Sequence, residues 1–190
     1  MLHKVVFLDR DGVLNALVER DGKMVSPRLF KDFRILDGVS DAIETLCQQN
    51  YELVVVTNQP DISRGLMLQS ELDQMTQAVL ALGVHQVLVC PHSDEDACLC
   101  RKPKPGLLKS YLRTLDSAPS EVWMIGDRES DVKAGNAIQA KTIFISHDGS
   151  VGDNATVSAI DLVSASMQVV KYESLRANAM LQCSDGEEMA

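Results

Sequence analysis

The chain has 190 residues, a length that suits one domain whose core needs no disulfide support. Its formal charge is -9, with 45% hydrophobic and 24% charged residues, which is an ordinary globular composition. The acidic balance argues against nucleic-acid strands and anionic membrane surfaces as partners, although a local basic pocket could still attract a small anion. No apolar run reaches the roughly 18 residues of a membrane span. Met1-Leu2-His3-Lys4 leads straight into a short apolar strand and leaves no room for a signal peptide, so the expected compartment is the cytoplasm.

The first predicted strand is Val5-Val6-Phe7-Leu8, an apolar run ending in charge, as a buried parallel strand does. Residues 16–36 read as a long irregular stretch, too short for a separate lid domain, which leaves the site open. Val39, Ile43, Leu46 and Cys47 recur at helical spacing, which puts Cys47 on the core face. Leu53-Val54-Val55-Val56 is a second strand. Ser70-Glu71-Leu72-Asp73 reads as a capping-box variant opening a helix that stops at Gly83. Val87-Leu88-Val89 is a third strand. Leu107, Leu108, Tyr111, Leu112 and Leu115 mark another helix. Val122 to Ile125 and Thr142 to Ile145 are the fourth and fifth strands, flanking a short helix from Ser130 to Ile138. From about residue 183 the polar sequence reads as a disordered tail, so the expected domain is 1–182 and the tail 183–190.

Strands alternating with helices predict an α/β fold: a central parallel sheet in a three-layer, Rossmann-like arrangement, without a separate cap domain. In such folds the chemistry sits at the carboxyl ends of the strands. Asp9, Thr57 and Asp127 all fall there.

Asp9-Arg10-Asp11-Gly12 supplies two carboxylates two residues apart. One can attack phosphorus while the other moves a proton to the leaving oxygen and from the incoming water. A plain turn with solvated acids would have the same residues. Thr57-Asn58-Gln59 offers a hydroxyl and amides that can hold phosphate oxygens, or can simply turn the chain. Lys102, within Arg101-Lys102-Pro103-Lys104-Pro105, can offset the charge of nucleophile and substrate. Gly126-Asp127-Arg128-Glu129-Ser130-Asp131 brings acids that suit Mg²⁺, an ion that takes oxygen ligands, while capping a helix is the plainer role for Asp131.

Cys90-Pro91-His92 followed by Cys98-Leu99-Cys100 is a set of three thiolates and one imidazole, the ligands of a closed structural Zn²⁺ site. Each ligand pair is two residues apart, so both members can reach one ion from a tight loop. A zinc-binding loop here would stiffen the segment carrying Arg101 and Lys102.

Taken in this order at successive strand ends, the motifs resemble the haloacid dehalogenase (HAD) superfamily of phosphatases over roughly residues 4 to 170. The resemblance implies that Asp9 forms an aspartyl-phosphate, that Asp11 is the general acid/base, and that Thr57 and Lys102 bind phosphate. It implies that Asp127 binds Mg²⁺ together with Asp9 and the backbone carbonyl of Asp11, with Asp131 in support. It also implies that the first strand lies between the second and the fourth. The loop Cys-x-His…Cys-x-Cys-Arg-Lys-Pro narrows the likeness to the family of D-glycero-D-manno-heptose 1,7-bisphosphate 7-phosphatases and histidinol-phosphate phosphatases. Thr57-Asn58-Gln59-Pro60-Asp61-Ile62-Ser63-Arg64-Gly65 is similar to the heptose-type pattern Thr-Asn-Gln-Ser-Gly-Ile-Ala-Arg-Gly, with Pro60 and Asp61 as departures. Arg128 occupies a position where heptose enzymes commonly carry lysine and histidinol enzymes arginine.

Beyond Thr57, Asn58, Gln59 and Lys102, the expected substrate-binding residues are Arg64, Arg101 and Arg128. Lys102 with Mg²⁺ suffices for one phosphate, so the surplus cations point to a second phosphate on a sugar. The expected protein is therefore a monomeric phosphoric monoester hydrolase acting on a small sugar phosphate of lipopolysaccharide precursor synthesis. An amino-alcohol phosphate is the alternative substrate. A HAD-fold binding protein without catalysis is a third reading, which the intact acid set disfavours.

Overall fold

The computed structural model describes residues 3–184, with side chains described to residue 175. Strand β1 (Lys4–Leu8) is followed by β2 (Val18–Arg20), β3 (Lys23–Val25), helix α1 (Val39–Gln48), β4 (Glu52–Asn58), α2 (Gln69–Leu80) and β5 (Gln86–Cys90). Then come α3 (Gly106–Leu112), β6 (Glu121–Gly126), α4 (Glu129–Asn136), β7 (Lys141–Ile145), β8 (Val157–Ala159) and α5 (Leu162–Ser184). Among the described residues the main sheet has six strands in the order β5-β4-β1-β6-β7-β8, every pairing parallel. β1 therefore lies between the second and fourth predicted strands, as expected.

Alternation along β1 explains the layers. Val6 and Leu8 join Leu53, Val55 and the inward faces of α1 and α5; Val5 and Phe7 join Val54, Val56, Leu108, Tyr111 and Ala134 on the other side. Both faces of the central strands are covered, which is why their sequences are unbroken apolar runs rather than alternating ones. Each fully buried Leu or Phe of these runs contributes on the order of 1.5–3 kcal/mol.

Several expectations change. Cys47 is exposed, not core. Val39, Ala42, Ile43 and Leu46 make the buried face of α1, and Cys47 lies about 90° round the helix from its centre. Helix α2 starts at Gln69, and its N-cap Leu68 makes no side-chain cap, so the Ser70 capping box does not form. The stretch 16–36 is not wholly irregular. It holds the β2–β3 hairpin and a 3-10 turn, Phe30–Asp32. Asp21 and Gly22, both at positive φ (53° and 71°), form its two-residue turn, a sequence signal that Asp-Gly carried. Strand β8 and helix α5 were not anticipated. Among the residues of α5 whose side chains are described, the buried ones are Leu162, Ala165, Ser166 and Val169, too small and mixed a set to read as a strong apolar stripe. α5 takes in the first two residues of the expected tail, and 185–190 lie outside the described residues.

Candidate active site

Because β4, β1 and β6 are adjacent and parallel, their carboxyl ends deliver Thr57, Asp9 and Asp127 to one edge of the sheet. The Asp9 amide still donates to the Ile125 carbonyl at 2.9 Å, so the nucleophile candidate stands on the last rung of the ladder. The chain then closes a tight turn, with Leu14 N and Asn15 N both donating to the Arg10 carbonyl at 2.8 and 3.1 Å. Gly12 makes this turn possible. Its φ is +87°, and a Cβ there would come 2.2 Å from Asp127 Oδ2.

Asp9 Oδ1 accepts from the Arg10 amide at 2.7 Å and pairs with Lys102 Nζ at 2.8 Å. The same ammonium reaches Asp131 Oδ1 at 2.6 Å and donates to the Val56 carbonyl at 2.6 Å. Burial alone would lower the Lys102 pKa; the charges of Asp131 and Asp9 more than reverse this, so the lysine stays cationic. Asn58 fixes that lysine from behind. Its amide oxygen accepts from Lys102 N at 3.1 Å, and its amide nitrogen donates to Lys102 O at 3.0 Å.

Asp11 is buried in a cradle of donors. Arg10 Nη2 reaches both carboxylate oxygens at 2.9 and 3.0 Å, Asn15 Nδ2 donates at 3.0 Å, and Gln59 Nε2 donates at 2.7 Å. Burial pushes the Asp11 pKa up, but the Arg10 guanidinium and these hydrogen bonds outweigh it and hold the carboxyl below its ordinary value. Gln59 also donates to Thr57 Oγ1 at 2.8 Å, which orients the hydroxyl toward the site. The side chains of Asn58 and Gln59 are thus engaged on Lys102, Asp11 and Thr57, as organisers of the site.

Asp127 and Asp131 complete the acid group. Asp131 is the third residue of α4 and caps the helix by accepting from Arg128 N at 3.0 Å, so it fills its plainer role and faces Lys102 as well. A Cβ at Gly126 would lie 2.3 Å from Asp131 Oδ2, so only glycine lets that carboxylate so close to the strand. Asp9, Asp127 and Asp131 place oxygen atoms within 4.8 Å of one another, an arrangement that could hold a metal ion. Burial, then the Asp9 and Asp131 charges, push Asp127 up to about 7. Burial, then Asp9 against the opposing pull of Lys102, push Asp131 up to about 6. Among the described residues Asp127 Oδ1 is a buried atom with no hydrogen-bond partner, although Arg128 Nε lies 3.9 Å away. An excess of buried carboxylate over cation and an orphaned oxygen both fit a hard divalent ion with oxygen ligands.

The second cluster is Cys90, His92, Cys98 and Cys100, whose ligand atoms also lie within 4.8 Å of one another. Cys90 Sγ is 3.7 Å from Cys98 Sγ and from His92 Nδ1, and Cys100 Sγ is 3.2–3.3 Å from the other three. A tetrahedron with ~2.3 Å zinc–sulfur bonds has edges of about 3.7 Å, so the set fits Zn²⁺ with slight expansion. Burial and the neighbouring Cys100 push the Cys90 thiol up to about 12, so these thiols resist ionising together without a cation. The loop also holds Arg101, which donates to Asp94 Oδ1 at 2.7 Å and to the His92 carbonyl at 3.4 Å.

The reactive chamber, walled by Asp9, Asp11, Thr57, Lys102 and Arg128, opens into a cleft of about 490 Å³. Arg20, Arg28, Arg64, Arg101 and Arg128 all line this cleft. Three cations of the expected set, Arg64, Arg101 and Arg128, are therefore brought together. Arg20 and Arg28, reached from the hairpin segment, were missed, since nothing local signals their direction. Arg28 Nε donates to Asp61 Oδ2 at 2.6 Å, and Arg64 Nη1 lies 3.7 Å from Asp61 Oδ1. Partly exposed pairs of this kind contribute about 0–1 kcal/mol, so orientation is their larger effect. Arg10 was also missed as a functional residue. It is fully buried and 5.6 Å over the Phe33 ring, an arrangement that a charged residue inside a turn motif hinted at.

A parallel sheet that delivers its acids and buried lysine in this manner defines the HAD-like class of phosphatases, which hydrolyse phosphoric monoesters. The HAD-hydrolase-like family model matches residues 99–165. A D-glycero-β-D-manno-heptose-1,7-bisphosphate 7-phosphatase of Haemophilus influenzae is 35% identical over 152 residues, covering 74% of this chain and 79% of that protein. Its counterpart in Helicobacter pylori strain 26695 is 33% identical, covering 70% and 78%. The crystal structure of a D,D-heptose 1,7-bisphosphate phosphatase from B. bronchiseptica, complexed with magnesium and phosphate, superposes with a TM-score of 0.73 at 28% identity, covering 89% of this chain and 99% of that one. The chain belongs to the family of these heptose-bisphosphate phosphatases, within the HAD-like hydrolases. No helix among the described residues is long and apolar enough to cross a membrane.

Proposed function

We propose that this protein removes the 7-phosphate of a D-glycero-D-manno-heptose 1,7-bisphosphate, through a phosphoryl group carried transiently on Asp9. The observation that carries the reading is the reactive chamber opening directly into an arginine-lined cleft, which suits a substrate with a second phosphate remote from the scissile one. The names of the relatives point the same way.

Asp9, which lines the chamber, attacks phosphorus from the end of β1 while its Oδ1 is held by Lys102 and Arg10 N. Lys102 keeps one positive charge between Asp9 and Asp131 and beside the incoming phosphoryl oxygens. Thr57, oriented by Gln59, offers its hydroxyl to those oxygens. Asp11 gives a proton to the leaving sugar oxygen, one it takes up when the bound phosphate's negative charge offsets the Arg10 charge that otherwise keeps it ionised. Its donor cradle then favours the carboxylate that takes a proton from water as the Asp9–phosphate bond is hydrolysed. Mg²⁺ would be held by Asp9, Asp127 and the Asp11 carbonyl, with Asp131 in support, and would supply charge neutralisation at the phosphoryl oxygens. Zn²⁺ on Cys90, His92, Cys98 and Cys100 would be structural, fixing the segment from which Arg101 and Lys102 project. The reading includes a small-molecule partner only and a cytoplasmic setting, which suits reduced thiols at the zinc cluster.

For histidinol phosphate the site would need free acids to meet an amine. The acids of the zinc loop are engaged instead: Asp94 on Arg101, and Glu95 and Asp96 on Ser93. The test is kcat/KM on heptose 1,7-bisphosphate against histidinol phosphate, with ³¹P NMR to identify which phosphate leaves. Loss of the 7-phosphate with a clear preference for the bisphosphate supports the reading, and a preference for histidinol phosphate overturns it.

A further inference from the structure

Of the five arginines of the cleft, only Arg128 also borders the reactive chamber. The other four are therefore candidates for the part of a substrate that does not react. Two of these are already committed. Arg101 donates from all three nitrogens, to Asp94 Oδ1 and Oδ2 and to the His92 carbonyl. Arg20 donates to the Ser26 carbonyl at 3.4 Å within the hairpin segment.

Arg28 and Arg64 differ. Arg28 uses Nε alone, on Asp61 Oδ2, and among the described residues neither of its terminal nitrogens donates a hydrogen bond. Among the described residues Arg64 donates no hydrogen bond from its side chain, and its Nη1 rests 3.7 Å from the other oxygen of the same carboxylate. One carboxylate thus faces two guanidiniums from separate segments, the chain after the hairpin and the loop after β4, with one oxygen turned to each. Two like charges brought together without it would splay apart. Asp61 is itself well anchored. Its carbonyl accepts from Leu66 N at 2.8 Å and from Met67 N at 3.0 Å, and its loop is tied to the zinc loop by Ser63 N to the Pro91 carbonyl at 3.3 Å.

We infer that Asp61 is a positioning residue that holds Arg28 and Arg64 as a two-guanidinium clamp for the non-reacting phosphate of a bisphosphate substrate. The inference rests on the reading of the site as a sugar-bisphosphate phosphatase. On Arg28, Nε is braced and both terminal nitrogens are offered; on Arg64, Nη1 faces the carboxylate and leaves Nη2 to offer, so the two side chains together present the donors with which guanidiniums grip a phosphate. The charge of Asp61 makes the idea testable by sign. If Asp61 were only an anion in the cleft, neutralising it would strengthen binding of a dianionic group. As a brace, its loss weakens that binding although the cleft becomes more positive.

The experiment measures kcat and KM for heptose 1,7-bisphosphate and heptose 7-phosphate with the wild type, Asp61→Asn, Asp61→Glu, Arg28→Gln and the Arg28→Gln, Asp61→Asn double variant. Both substrates are read on the same protein, so loss of folded enzyme cancels in the ratio of their kcat/KM values. The wild type favours the bisphosphate. In Asp61→Asn the ratio falls about tenfold, through KM of the bisphosphate. Asp61→Glu recovers most of it, and adding Asp61→Asn to Arg28→Gln lowers the ratio further but by less than Asp61→Asn lowers the wild type, because only the brace on Arg64 is left to lose. A ratio that stays constant or rises in Asp61→Asn overturns the clamp while leaving the heptose reading intact. If neither heptose compound is turned over, that reading fails. Fructose 1,6-bisphosphate against fructose 6-phosphate then decides the clamp by the same ratio, and no bisphosphate preference in the wild type overturns it.

Discussion

Lys102→Met tests the electrostatic organisation of the site most directly. Methionine keeps an apolar stem of nearly the same length but removes the ammonium that pairs with Asp9 at 2.8 Å and with Asp131 at 2.6 Å. Two buried carboxylates and the half-buried Asp127 then remain with oxygens within 4.8 Å of one another. At that separation each like-charge pair repels by about 3 kcal/mol at an effective dielectric constant of about 20. Removing one partner from a buried pair costs about 3–5 kcal/mol overall. For a chain of this size that lowers the thermal midpoint by about 10 °C. The pH dependence follows from the same charges. Asp127 and Asp131 have folded pKa values of about 7 and about 6, above the ordinary 3.8. The stability they contribute is present below about pH 4 and is lost as pH rises through those folded values, so metal-free protein weakens from about pH 4 to 7. Without Lys102, whose charge lowers both, the two acids titrate higher still. The gap between variant and wild type should therefore be wide at pH 8 and narrow toward pH 5, and Mg²⁺ should restore part of it. The assay is thermal unfolding followed by circular dichroism in chelator at pH 5 and pH 8, then with Mg²⁺ added. An equal deficit at both pH values, or none at pH 8, would refute Lys102 as the counter-charge of the acid cluster.

Asp9→Asn should abolish phosphate release, because an amide cannot attack phosphorus, while far-UV circular dichroism stays native; turnover near the wild-type rate would contradict the nucleophile assignment. Exhaustive removal of divalent ions should abolish activity and Mg²⁺ restore it, while Ca²⁺ inhibits by taking more ligands and loosening the near-octahedral geometry around Asp9; full activity of metal-stripped enzyme would sink this. Protein purified without added zinc should carry one Zn²⁺ per chain, and the Cys98→Ser, Cys100→Ser double variant should lose both the metal and several kcal/mol of stability. Metal analysis and urea unfolding check that, and an unchanged midpoint would remove the structural role from the cluster.

How far the sequence could be read depends on the range of the interactions involved. Val5 to Leu8 and Leu53 to Val56 were legible as strands because burial on both faces demands an unbroken apolar run, which is a local property. That Asp9, Asp11, Thr57 and Asp127 come together as a candidate site was legible because parallel strands must all end at one edge, so strand ends written far apart in the chain meet there. Cys90, His92, Cys98 and Cys100 were legible because a metal's ligand geometry imposes short spacings. Cys47 was misread because its spacing from Ile43 is helical, and only the packing of α1 and α5 sets where the edge of the buried face falls. Asp21-Gly22 was a local signal passed over, whereas β8 and α5 close the sheet with residues that carry no strong pattern. The pairing of Lys102 with both Asp9 and Asp131, the cradle of Arg10, Asn15 and Gln59 around Asp11, and the meeting of Arg28 with Asp61 were not legible. Each is a choice of side-chain direction or a contact between distant segments, and the partners of a charged side chain are settled when the loops that carry it are closed over the sheet, because until then water serves every one of them equally well.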